Sequence, residues 1–191
     1  MPNSKFPGSP SKFPGSPSRP PGPRTSSVIP PVTKIHNDTG PQLFMGGNMY
    51  YRQLDDLAIN ICISRRITDA QWQDFLEGSL RLAVQIGRMP KVTMASFEHT
   101  YPDAKQRRHT RDFLGSQGVK PIDRLGLVSD NPLVRGAIVA FSWVVPDASV
   151  LAFGSSDAPA CLEWLHQVGI FDEKRAALAW SEGRAALQLQ S

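Results

Sequence analysis

The chain has 191 residues, with 21 Lys and Arg against 17 Asp and Glu for a formal net charge of +4, enough for one ordinary domain and a further segment. No apolar run reaches the ~20 residues that span a bilayer, no apolar signal core stands at the N-terminus, and no pair of Cys or His has metal-ligand spacing. A transmembrane segment, a secretory leader and a metal site are therefore not expected.

The further segment lies at the start. Eleven of the 17 prolines fall within residues 1–41. Proline fixes φ and lacks an N–H, so that density excludes helices and ladders. The same 41 residues hold Lys5, Lys12, Arg19, Arg24 and Lys34 against Asp38, which accounts for the whole net charge and leaves residues 42–191 balanced. Within them "SKFPGSP" occurs twice, from Ser4 and from Ser11, with a degraded third copy ending at Arg24. Residues 1–47 read as a disordered, Pro/Gly/Ser-rich basic tail, in which Val28, Ile29 and Val32 could dock as a short extended piece. Residues 48–191 read as a folded domain.

Within the domain "MYYRQLDDLAINICISRR" alternates as two strands with Asp55-Asp56 as the turn. In the second, Leu57, Ile59, Ile61 and Ile63 share one face, and Ala58, Asn60, Cys62 and Ser64 the other. Thr68 to Gln71 form a capping box ahead of a helix whose stripe is Trp72, Phe75, Leu76, Leu80 and Ala83, ending at Gly87. "KVTMASF" is a third strand. The next helix has Pro102 and Asp103 in its first turn and stops at Gly115 or Gly118. Asp123 to Asp130 is a fourth strand. Asp130 is then the expected N-cap of a helix with Leu133, Ala137, Ile138, Phe141 and Val145 inward. Ser149 to Ser155 is a fifth strand, followed by a helix with Leu162, Leu165 and Val168 inward. An Ala-rich helix capped by Asp172 closes the chain. Strands alternating with helices predict an α/β fold, a mostly parallel sheet of about five strands (β-β-α-β-α-β-α-β-α) plus a C-terminal helix, with the first hairpin giving an antiparallel strand at one edge.

That order over roughly residues 48–168, with "SDNPLVRGAIVAF" joining the fourth strand to its helix and "VLAF" leading into a helix ending "CLEWL", resembles the STAS or SpoIIAA-like domain. It is most similar to divergent bacterial SpoIIAA-like proteins. The resemblance implies the fold of anti-anti-sigma factors, with lipid-carrying CRAL-TRIO modules as a relative. Members carry a phosphorylatable serine in an Asp-Ser-Ser-Gly-like turn after the third strand. Here that place reads "ASFEHTYPDAKQ", so Ser96, Thr100 and Tyr101 are the nearby hydroxyls. Thr100 is the candidate regulatory residue by position, with Ser96 beside it; the alternative is an ordinary N-cap or loop threonine.

Few residues point to catalysis. Glu98, His99 and His109 lie near a loop without a nucleophile motif, and His166 lies in a helix. Gly46-Gly47 and Gly115 to Gly118 do not open a helix after a strand as a phosphate loop must, so no cofactor is expected. Cys62 and Cys161 sit in apolar runs and read as buried free thiols, a disulfide between them being the alternative. Lys105, Arg107, Arg108 and Arg111 form the body's most basic patch, either a solvated face or a docking patch. Nucleic acid ranks last as its partner, because no aromatic residues interleave with it. Leu178, Trp180, Leu187 and Leu189 let the last helix cover the core or dimerise, with Trp164 and Trp180 as anchors.

The reading that follows is a non-enzymatic, cytoplasmic adaptor or scaffold. Its tail docks on a protein partner, oligomeric or filamentous, through Lys5, Phe6, Pro7, Lys12, Phe13, Pro14, Arg19 and Arg24, and a homodimer is allowed. Each repeat supplies a charge, an aromatic anchor and a stiff backbone. The alternatives are a small-ligand or lipid carrier, which needs an apolar pocket between helices and sheet, and a regulator switched by phosphorylation near Thr100.

Overall fold

The computed structural model describes residues 37–136 and 148–188. The chain divides between residues 34 and 35, and all described residues belong to the second unit. The tail positions Lys5, Phe6, Pro7, Lys12, Phe13, Pro14, Arg19 and Arg24, the short extended piece, Ala137, Ile138, Phe141, Val145 and Leu189 lie outside the described residues.

The described elements are strands β1 (Gln42–Phe44), β2 (Met49–Leu54), β3 (Leu57–Cys62), β4 (Val92–Phe97), β5 (Arg124–Val128) and β6 (Ser149–Phe153). With them are helices α1 (Asp69–Gln85), α2 (Ala104–Ser116), α3 (Pro132–Gly136), α4 (Ala158–His166) and α5 (Glu173–Gln188). The strands form one α/β sheet in the order β1-β2-β3-β4-β5-β6, antiparallel from β1 to β3 and parallel from β3 to β6. None of the described helices is long and apolar enough to cross a membrane.

The alternation expected of β3 is present and divides the core. Leu57, Ile59 and Ile61 meet α4 and α5 through Leu162, Leu165, Trp180 and Leu187. Ala58 and Cys62 face the opposite side, where Trp72, Phe75 and Leu76 of α1 pack. The last helix thus covers the core, with Trp180 buried and Leu178 exposed. Trp164 packs at a tilt against Phe153 and lies under the Arg124 guanidinium, 4.8 Å from the ring centre. Gly183 lets α5 approach the sheet closely, since a Cβ there would come within 2.6 Å of Tyr50.

Several boundaries differ from expectation. The sheet has six strands, because Gln42–Phe44 pairs with Met49–Tyr51 inside the segment assigned to the tail. The three residues of this strand are too few to show a period of two. The reversal uses Met45, Gly46 and Gly47 at φ of 55°, 65° and 90°, which glycine adopts without penalty. β1 rather than the hairpin is therefore the edge. Helix α2 starts at Ala104 with Asp103 as N-cap, in a capping box with Gln106. Asn131, not Asp130, caps α3 by accepting the Leu133 N–H at 2.9 Å; Asp130 instead accepts the Ser155 N–H at 2.8 Å, bridging the ends of β5 and β6. Leu133, expected inward, is 80% exposed, and Val168 is 39% exposed. The capping boxes at Thr68 and Asp103 and the Asp172 cap of α5 fix the starts of α1, α2 and α5.

Candidate functional site

Between α1, α2 and the sheet lies a cavity of about 400 Å3. Its floor follows from the sequence of two neighbouring strands. Ala58 pairs with Thr93 and Asn60 with Ala95, so four short side chains stand together under the helices. A floor of Leu or Ile at these positions would fill the space, as it does on the opposite face of the sheet. The walls are Trp72, Phe75, Leu76, Leu80 and Ala83 of α1 and Thr110, Leu114 and Gly115 of α2.

The helices are joined at one end only. Trp72 Nε1 donates to Thr110 Oγ1 at 2.8 Å, Gln106 Nε2 donates to the Ile67 carbonyl at 2.9 Å, Lys105 pairs with Asp69, and His109 meets Gln73. All these partners belong to the first halves of α1 and α2 or the approach to α1. Among the described residues no hydrogen bond or ion pair joins the second halves, and Ser79, Leu80, Leu114 and Gly115 border the gap. The cavity is shaped by polar pinning at one end and short floor residues beneath.

Two features of the lining are polar. Asn60 Oδ1 is buried without a hydrogen-bond partner. Arg107, Arg111 and Lys120 are the charged residues of the lining, with no carboxylate beside them in it. Arg107 is half-buried and donates to the Pro102 carbonyl at 2.7 Å.

A second, polar cleft of about 470 Å3 opens where β3 and β4 end, bordered by Asn48, Ser64, Arg65, Glu98, His99 and Arg184. Glu98 accepts from Arg184 at 3.0 Å and from the Ser96 hydroxyl at 3.3 Å. His99 is exposed, and no hydrogen bond among the described residues couples it to Glu98. The Glu98 carboxylate is engaged by the Arg184 guanidinium rather than by the imidazole. His109 lies on α2 against Phe113, and His166 pairs with Glu173 at 2.6 Å. These three histidines are not brought together.

The remaining residues singled out in the sequence also find places. Ser96 is 1% exposed, so its hydroxyl is an interior hydrogen-bond donor. Thr100 is in the loop three residues before the Asp103 cap. Asp103 Oδ1 accepts the Gln106 N–H at 2.8 Å, so Asp103 and not Thr100 is the N-cap of α2. The basic patch divides: Arg107 and Arg111 border the cavity, Lys105 turns to Asp69, and Arg108 points to solvent. Cys62 and Cys161 are free and buried; burial raises both thiols, Cys161 to about 12. No group of His, Cys, Asp or Glu among the described residues is arranged to hold a metal ion.

The cavity was not located from the sequence, although its signal was present. The sequence places Ala58, Asn60, Cys62 and Ser64 on one face of a strand, and only the register sets that face beside Thr93 and Ala95. No protein-family model, curated protein or solved structure matches this chain.

Proposed function

We propose that the domain is a non-enzymatic binding module that carries a small apolar ligand between α1, α2 and the sheet. One observation carries this reading: a cavity of about 400 Å3 with a short-residue floor and aromatic walls, open between two helices pinned at one end. Burying a hydrocarbon there gains ~0.8 kcal/mol per methylene, and the volume is within the usual range of ligand sites. The STAS- or SpoIIAA-like element order, with lipid-carrying relatives, agrees with it. The buried free thiols suit a reducing, cytoplasmic setting.

The test is titration of the full chain with the neutral fluorophore N-phenyl-1-naphthylamine. Wild type should bind one equivalent saturably. Gly115→Phe adds a ring at a residue that borders the cavity, and it should weaken binding at least tenfold. Absence of saturable binding by wild type overturns the reading.

A second reading rests on the tail repeat. We propose that the two "KFPGSP" copies dock on an oligomeric or filamentous protein, the second copy gaining from the effective concentration set by the first. Affinity purification of the full chain against a chain lacking residues 1–24 tests it. Identical captured partners and unchanged cellular position would sink this idea while leaving the cavity reading untouched.

A further inference from the structure

Resting on that carrier reading, we propose that the ligand is a single-chain anionic amphiphile of the fatty-carboxylate type, its hydrocarbon in the cavity and its head group held by Arg107 and Arg111, with Lys120 adding its charge at longer range.

The volume selects one chain. A methylene takes up about the share of a water molecule, ~30 Å3, so about 400 Å3 holds about a dozen carbons, too few for a two-chain lipid. Charge selects the head. The body is electrically balanced, yet the charged lining of this cavity has one sign. Arg107 has no carboxylate partner among the described residues; one N–H goes to the Pro102 carbonyl and a guanidinium has five. Lys120 likewise has no carboxylate partner among the described residues. The carboxylate near Arg111 is its chain neighbour Asp112, 3.8 Å away with both groups exposed, a pairing worth little in water. Nearby Asp69 is occupied by Lys105, and Asp103 by the amide of Gln106.

Helix geometry places the guanidiniums together. Arg107 and Arg111 are one turn apart on the α2 face that also carries Leu114 and Gly115, about 6 Å along the axis. A carboxylate between them accepts charge-assisted hydrogen bonds from both, and Lys120 adds its charge at the far end of α2. The chain then runs beneath α1 over Ala58, Asn60, Thr93 and Ala95. An amine or quaternary ammonium head would meet three like charges.

The experiment displaces N-phenyl-1-naphthylamine from the full chain with dodecanoate, dodecanol or dodecyltrimethylammonium, at low and high salt. The same is done for a triple variant Arg107→Gln, Arg111→Gln, Lys120→Gln. Dodecanoate should bind at least tenfold more tightly than dodecanol, with the ammonium weakest. The advantage should shrink in salt and vanish in the triple variant, in which dodecanoate and dodecanol are compared with each other and the fold is checked by urea unfolding. From octanoate to dodecanoate, each added methylene should tighten binding about fourfold. Equal affinity for carboxylate and alcohol, or a carboxylate preference that survives the triple variant, overturns the head-group assignment while leaving an apolar carrier. Failure of the fluorophore itself to bind wild type overturns the carrier reading and this inference with it.

Discussion

Asp56 and Ile170 hydrogen-bond to each other twice: Asp56 Oδ2 accepts the Ile170 N–H at 3.0 Å, and the Ile170 carbonyl accepts the Asp56 N–H at 3.2 Å. The hairpin turn at the start of the sheet is thereby tied to the segment between α4 and α5. The Asp56 side chain is 1% exposed, and it also accepts Arg88 Nε at 2.7 Å, with Lys91 Nζ 3.7 Å away.

Asp56→Asn should lower stability by about 3 kcal/mol in urea unfolding at pH 7, because a buried carboxylate with three engaged partners is replaced by an amide that satisfies fewer of them. Burial by itself raises the Asp56 pKa, but the Arg88 hydrogen bond, the Ile170 amide and the charges of Arg88 and Lys91 outweigh it and hold the carboxyl below its ordinary value. A lowered folded-state pKa contributes stability above the ordinary carboxylate range and loses it as pH falls. Wild type should therefore weaken progressively below about pH 4, and the variant should show a shallower acid limb. Parallel limbs would remove Asp56 from the account.

Two glycines should respond to alanine with opposite signs. A Cβ on Gly126 would fall 2.3 Å from Cys161 Sγ, inside a packed layer, so Gly126→Ala should cost about 2 kcal/mol. The cost should be smaller in a Cys161→Ala background, as a double-mutant cycle can measure. Gly115 is helical and its Cβ site is open. Gly115→Ala should gain about 0.5 kcal/mol, less than a mid-helix replacement because it lies in the last turn.

Asn60 leaves a buried carbonyl oxygen unsatisfied on a central strand. Asn60→Val removes that oxygen and suits a strand, and should raise stability by about 1 kcal/mol. It should also tighten binding of the neutral fluorophore, because two methyl groups replace an unsatisfied amide in the floor of the cavity. A stability loss would mean that the amide has a polar partner in solution.

The thiols of Cys62 and Cys161 are buried and raised by that burial. Labelling with an aromatic disulfide reagent near neutral pH should therefore proceed at the rate of unfolding rather than of thiol chemistry. Fast labelling of one thiol in the native state would contradict the packing of its layer.

The sequence by itself determined most of the elements. The period of two in "LAINIC", the capping box at Thr68 and the Asp172 cap are local signals, and local hydrogen bonds and pleat geometry act on them whatever the rest of the chain does. The same locality explains the misses: a three-residue edge strand has no period, and Asp130 and Asn131 compete for one cap, a choice decided by the distant Ser155 amide that Asp130 accepts. For the candidate site, Arg107 and Arg111 could be placed on one helix face from their spacing alone. That this face looks into a cavity could not, because the cavity exists only where Ala58 and Asn60 of one strand lie beside Thr93 and Ala95 of another and α1 is pinned to α2 at one end. Register and helix placement set the void, and both depend on the packing of residues far apart in the chain.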